Sequence, residues 1–350
     1  MQDQKDKRHF SDSMRNTNSA FLPADQTSVS VIRVGFVLQE HFSLMAFTAA
    51  VDALVTANLV RATPLFEFST YGMGSLTVKS DLGINISTNG RIDQLPVDGD
   101  QALQMLIVCG GFRCSLRENS VLSQKLKTVA RSGTVLGALW NGAVPLAQAG
   151  LLDEQECALH PDNHAFMREH FPKVRLSDQV CVITEGRATS AGPSSALDMM
   201  LALIERSQGR DTVRAIREIL SSDQVAENRD QQPVQSDEEA SFPEPLKDLL
   251  QLMGSNIEEP LSIDELASLA GVSRRQVERL FQSHLSSSPS RYYLELRITH
   301  ARRLLLQGSD SIANIALASG FVSSTHFSHC YKDYFGLSPS QARQQKSASG

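Results

Sequence analysis

The chain lacks any apolar run approaching the roughly 20 residues needed to cross a bilayer, and its polar opening, MQDQKDKRHFSDSMRNTNSAFLPADQT, lacks the apolar core of a secretory leader. No membrane partner is expected, the compartment is read as cytoplasmic, and residues 1–28 are expected to form a disordered tail. Cysteine is equally sparse. Cys109, Cys114, Cys157, Cys181 and Cys330 form an odd, scattered set with no CxxC spacing, which argues against both a disulfide framework and a zinc knuckle. Buried or incidental thiols are the plain reading. His160 and His164 have the spacing of two helical ligands, but Pro161 interrupts it and two ligands are too few, so neither metal nor cofactor is expected.

Net positive charge is missing from the chain as a whole, which stands at −6 over 350 residues, yet its distribution points the other way. From Gly271 to Gly350 ten Lys or Arg face four acids, a local +6 that leaves −12 on residues 1–270. A basic module attached to an acidic body is the electrostatic footprint of a phosphate binder. The length suits two domains. Residues 221–245, SSDQVAENRDQQPVQSDEEASFPEP, hold too few apolar side chains to bury a core. They read as a flexible linker between a domain at 29–220 and another at 246–343, with a short tail at 344–350.

The first domain alternates strands with helices. VIRVGFVL (31–38) is a continuous apolar, β-branched run of the kind found in buried parallel strands, and Phe42 to Leu59 reads as a helix. The pattern returns as QMLIVCGG (104–111), a helix at 118–131, TVLGAL (134–139) and a helix at 141–149. The expected fold is α/β, a flavodoxin-like parallel sheet covered by helices on both faces. Stretches at 65–89 and 174–191 are expected to add edge strands, and 194–207 a closing helix.

The second domain reads as all-α. Ser262-Ile-Asp-Glu265 is a capping box opening a helix that Gly271 ends, and Ser273 caps the next, whose Val277, Leu280 and Phe281 share one face. Two short helices joined through AGVS make a helix-turn-helix, the second helix being the one that enters the major groove. The unit repeats about fifty residues on: SIANIALAS (311–319), a turn at Gly320, and a helix from Ser323. Between the units Ser288-Pro289 supplies an N-cap and a first-turn proline for a long helix that Gly308 stops. A stiff bridge of that length sets two recognition helices about one DNA turn apart.

Residues 257–343 resemble the DNA-binding domain of the AraC/XylS family across both units, including the ending YFGLSPSQAR. The resemblance implies DNA contacts from Arg274, Arg275, Glu278 and Arg279 in the first unit. In the second it implies them from Ser324, Thr325, Ser328, His329 and Lys332. Arg suits the acceptor pair of guanine and Glu the donor of cytosine. His329 stands where many members carry Arg, so the second unit is expected to be weaker, with Ser324 and Ser328 touching phosphate.

The α/β domain has a resemblance of its own. VGFVLQEHFSLMAFTAAVDALVTAN, LIVCGG, LWNGAVPLAQAGLLD, CALHPDN and TSAGPSSALDMMLALI, in this order, resemble the PfpI-type class I glutamine amidotransferase-like domain. Joined to an AraC-type domain, this is the arrangement of GlxA-like regulators. Enzymes of this fold set a cysteine at a tight strand-to-helix elbow with a histidine beside it. Here Trp140 stands at the cysteine's position, while His160 matches the histidine and Asp52 an early acidic position. Tryptophan has no nucleophilic atom, so no catalysis is expected. Cys109 and Cys114 follow a different strand and need a new geometry to replace the lost thiol.

What remains is a pocket at the carboxyl ends of the strands, with Phe42, Asp52, Phe112, Trp140, Asn141 and His160 as candidate ligand-binding residues. Relatives of this architecture include regulators responding to glycine betaine, carnitine or arginine. The resemblance therefore implies a small amine-bearing effector, with cation–π contact to Trp140 as the physical reason. The expected protein is a homodimeric, ligand-responsive activator of metabolic genes, working on double-stranded promoter DNA with RNA polymerase. Two alternatives stand beside it: an active hydrolase or amidase tethered to DNA, and a non-sensing regulator in which Trp140 plugs the pocket and the α/β domain only dimerises.

Overall fold

The computed structural model describes residues 8–18, 21, 30–61, 64–220 and 242–348. They fall into two compact units, one drawn from 28–58 and 63–209, the other from 1–27, 59–62 and 210–350.

A short helix α1 (Asp12–Asn18), which belongs to the second unit, precedes the α/β unit. The α/β unit then runs β1 (Ile32–Leu38), α2 (Leu44–Val60), β2 (Phe66–Gly72), β3 (Thr77–Lys79), β4 (Asn85–Ser87), β5 (Gly90–Arg91) and β6 (Met105–Cys109). It continues with α3 (Ser120–Arg131), β7 (Val135–Leu139), α4 (Ala143–Gln148), β8 (Glu156–Ala158), α5 (His164–His170), β9 (Arg175–Ser177), β10 (Cys181–Thr184), β11 (Arg187–Ser190) and α6 (Pro193–Gln208).

Seven strands form one sheet in the order β10-β11-β7-β6-β1-β2-β5, parallel except where β10 meets β11. Val34 and Phe36 to Leu38 of β1, and Leu106 to Cys109 of β6, are wholly buried, because helices cover both faces of the sheet. That is why these strands read as unbroken apolar runs rather than as alternation. The chain steps from β1 to β2 on one side and returns to β6 on the other, so β1 and β6 flank the topological switch point. The expectation of an edge strand within 65–89 needs one correction: β2 lies inside the sheet beside β1, and the two-residue β5 takes the edge. β3–β4 and β8–β9 form separate two-stranded pairs.

The second unit holds α7 (Arg210–Leu220), α8 (Glu244–Ser255), α9 (Ile263–Leu269), α10 (Arg274–Leu285), α11 (Pro289–Gln307), α12 (Ile312–Ala318), α13 (Ser324–Phe335) and α14 (Pro339–Ala348). Ser262, Ser273, Ser288, Ser311 and Ser323 cap five of them, each hydroxyl accepting the backbone N–H three residues on. Each such cap contributes about 1 kcal/mol, enough in sum to fix where these short helices start. Helices α9–α10 and α12–α13 are the two helix-turn-helix units, and α11 bridges them.

Helix α11 has little amphipathic contrast because neighbours surround it. The Tyr293 hydroxyl donates to the Asn256 carbonyl and accepts the Leu261 N–H, tying the loop between α8 and α9. Arg297 donates to the carbonyls of Ser319 (3.0 Å) and Gly320 (2.5 Å), and its guanidinium lies 4.6 Å from the centre of the Phe321 ring. Gly320 occupies the left-handed region at φ 71°, and a Cβ there would meet the Ile257 carbonyl at 2.5 Å. Only glycine fits this turn.

The domain boundaries differ from the sequence reading at both flanks. Within the segment expected as a disordered tail, α1 is helical, and Phe10, Met14 and Phe21 are buried in the second unit. Their apolar spacing was masked by a polar, mixed-charge surround. Arg210–Leu220, included in the domain expected at 29–220, belongs with the helical unit. The linker expected at 221–245 lies, apart from 242–245, outside the described residues, and α14 runs into the expected C-terminal tail.

Candidate DNA interface and ligand cleft

The first recognition helix, α10, turns Val277, Phe281 and Leu285 into a core with Leu246, Leu249 and Leu266. That packing leaves Arg274, Arg275, Glu278 and Arg279 exposed on the outer face. The four are not equivalent. Arg274 reaches Asp264 at 3.0 Å and Glu278 at 3.6 Å, so both it and Glu278 are engaged within the protein. Among the described residues no ion pair holds Arg275 or Arg279, and both guanidiniums are free for a base or phosphate.

The second recognition helix, α13, buries Phe327, Cys330, Tyr331, Tyr334 and Phe335. Ser324, Thr325, His329 and Lys332 are exposed and Ser328 is half-buried, so the implied contact positions do share an outward face. The basic excess counted over Gly271–Gly350 is partly spent inside the fold. Arg291 pairs with Glu295, Arg297 clamps the second turn, Arg302 is buried, Arg303 pairs with Glu218, and Arg343 donates to the Asp310 carbonyl. The charge count therefore overstates the phosphate-facing surface, and its sign is right for a partly structural reason.

In the α/β unit Trp140, the residue that the resemblance sets at the nucleophile's position, stands in the turn after β7. Trp140 follows β7 at φ 57°, in the left-handed region that a non-glycine residue adopts at a cost. The turn is locked by close backbone approach: a Cβ on Gly142 would meet the Val108 carbonyl at 2.1 Å, and the Asn141 side chain accepts the Gly111 N–H at 2.7 Å. The Trp140 ring stacks on His160, with centroids 5.3 Å apart and planes at 27°.

Of the six candidate ligand residues, the structure pairs only Trp140 with His160 in this way. Phe42 is fully buried, packed edge-on against Phe47, and Asn141 is buried holding the glycine turn. Asp52 is exposed along α2, and Phe112 is 67% exposed in the loop after β6. Burial pushes the Cys114 thiol up to about 12 and that of Cys157 to about 11, and it raises Cys109 as well, so these thiols stay protonated.

A cleft of about 300 Å³ opens beside the switch point. Gln39 and Glu40 after β1, Ser75 and Thr77 beyond β2, and Arg117 and Glu118 before α3 line it. None of the six sequence candidates does. The missed signal was the pair Gln39-Glu40, polar residues directly after a buried strand at the carboxyl edge of the sheet. Among the described residues no group of three His, Cys, Asp or Glu side chains gathers as a metal set.

Two family models match the chain: a helix-turn-helix domain over residues 266–345 and the DJ-1/PfpI family over residues 32–206. The chain is 40% identical over 315 residues to the HTH-type transcriptional regulator GbdR of Pseudomonas aeruginosa, covering 89% of this chain and 84% of the relative. It is 34% identical to the HTH-type transcriptional regulator GlxA of Rhizobium meliloti, covering 93% and 99%. The chain belongs to the AraC-type transcriptional regulators that carry a DJ-1/PfpI domain. A solved AraC family transcriptional regulator from Pseudomonas putida, 37% identical with a TM-score of 0.50, is similar over 54% of this chain and 99% of its own. The DJ-1/PfpI match, over residues 32–206, spans the turn that carries Trp140. No helix among the described residues is long and apolar enough to cross a membrane.

Proposed function

We propose that this regulator reads promoter DNA unequally through its two helix-turn-helix units, with Arg275 and Arg279 of α10 carrying most of the base discrimination. The observation behind this reading is the contrast within α10: Arg274 is held by Asp264 and Glu278, whereas Arg275 and Arg279 stand exposed and unpaired among the described residues. A free arginine on the outer face of a recognition helix suits the paired acceptors of guanine. The second unit presents Ser324, Thr325, Ser328 and His329, short or neutral groups suited to phosphate and shape.

The α/β unit is read as a non-catalytic sensor for a small amine-bearing metabolite. Support comes from the elbow without a nucleophile, the protonated thiols, and the cleft in which Glu40 and Glu118 offer carboxylates to a cation beside Arg117. Stacking on His160 occupies one face of Trp140, which favours the cleft over the indole as the cation's seat. Ligand binding shifts the DNA-binding equilibrium only by its differential affinity for the two states. The protein acts in the cytoplasm as a homodimeric activator of metabolic genes, recruiting RNA polymerase. Footprinting with and without glycine betaine, carnitine and arginine tests this. A change in protection with one of them, abolished by Glu40→Gln with Glu118→Gln, is the expected result. Turnover of an amide by the purified chain would contradict it.

A further inference from the structure

The bridging helix α11 carries a polar stripe at helical spacing, Glu295, Thr299 and Arg302, that faces inward rather than toward water, with the exposed Arg291 at its outer end. A carboxylate with no exposure, such as Glu295, is tolerated only when paired and hydrogen-bonded. Arg291 supplies the pairing at 2.9 Å and the Tyr334 hydroxyl a contact at 3.4 Å. The remaining donors come from the start of the chain: the Ser11 N–H reaches both carboxylate oxygens at 3.1 Å, and the Ser11 hydroxyl donates to Oε2. Further along the stripe, Asn18, itself fully buried, donates through Nδ2 to the Thr299 hydroxyl at 2.8 Å. The Arg302 guanidinium lies between the rings of Phe21 and Phe335, at 4.7 and 4.6 Å from their centres.

The same segment grips the second recognition helix. Phe10 packs on Tyr334 and Phe335, with centroids 4.6 and 5.4 Å away, and Arg8 pairs with Asp333 at 3.8 Å. These contacts fall on the last turns of α13 and leave Ser324, Thr325 and His329 exposed. On the other flank of the α/β domain, Glu218 of α7 pairs with Arg303 of α11 at 3.2 Å. Both chain segments that flank the α/β domain in sequence therefore end on one helix.

We propose that Arg8–Asn18 with Phe21 is a strap that belongs to the DNA-binding unit. It braces α11 against α13 from the side away from the contact positions and so sets how firmly the second unit engages DNA. The second unit has no arginine at its contact positions, so its contribution depends on being held in place. The proposal rests on the two-unit reading of DNA given above.

The test uses the full chain as wild type, Phe10→Ala with Met14→Ala, and the shape-conserving Glu295→Gln. The wild type selects an operator from random duplexes. Binding is then compared on that duplex and on one in which the segment under the second unit is scrambled. Hydrogen exchange follows the Arg8–Asn18 amides. Both variants are expected to lose strap protection and at least about tenfold in affinity for the intact operator, but no more than about twofold on the scrambled duplex. Equal losses on the two duplexes, or lost protection with unchanged binding, would overturn the brace. Unprotected strap amides in the wild type would overturn the docking itself. If the wild type selects no sequence, the two-unit reading fails instead, and the exchange arm still decides whether the strap docks.

Discussion

The indole of Trp140 stacks on the imidazole of His160 at the point where β7 turns into α4, so a residue without a nucleophilic atom occupies a strained elbow and is partnered by the histidine. Burial keeps the thiols of Cys109, Cys114 and Cys157 in the neutral form.

With Cys114 at about 12, roughly one molecule in ten thousand carries its thiolate at pH 8. Mass-spectrometric mapping of iodoacetamide adducts on the native chain is expected to find Cys109, Cys114 and Cys157 unmodified until denaturant is added. Rapid labelling of Cys114 at neutral pH would reopen the hydrolase reading.

Arg297 bonds two carbonyls of the second turn and covers Phe321, so it holds the second helix-turn-helix unit to the bridging helix. Arg297→Ala is expected to destabilise the helical unit by about 2 to 3 kcal/mol, the range for charged hydrogen bonds left unmade. Lysine lacks the planar fork and is expected to rescue little of this. Chemical denaturation followed by helical circular dichroism measures both variants.

Burial, aided by the Arg303 charge, holds His300 below its ordinary value of 6.5. The unfolded chain then takes up the proton first, so this group leaves stability intact above about pH 6.5 and erodes it as pH falls toward the native pKa. His300→Gln is expected to flatten the decline in melting temperature between about pH 7 and 5 relative to wild type. An unchanged slope would place the acid sensitivity elsewhere.

The sheet, the five serine caps and the bridging helix were legible because each rests on a local rule: continuous apolar strands between two helical layers, or a hydroxyl at a helix start. Which face of α10 stays exposed was legible for the same reason, since the core spacing of Val277 and Phe281 dictates it. The strap was not. Phe10 and Phe21 find partners, Tyr334 and Arg302, some 280 to 320 residues away, and no local pattern encodes such a contact. The ligand residues fared worst. Asp52 comes from the family resemblance and Phe112 is a candidate pocket wall, but the register of α2 and the loop after β6 turns both toward solvent, while the cleft forms from three loops meeting at the switch point.

Unequal reading of DNA by the two units is measured by selecting bound duplexes from a random pool with wild type and Arg279→Ala. Two preferred segments about 10 base pairs apart, centre to centre, are expected. Sequence information should concentrate in the one under α10, and Arg279→Ala should lose on the order of 1 to 3 kcal/mol of discrimination at a single step there. His329→Ala should lose less. Equal information in the two segments, or an Arg279→Ala loss that is the same on selected and random DNA, would contradict it.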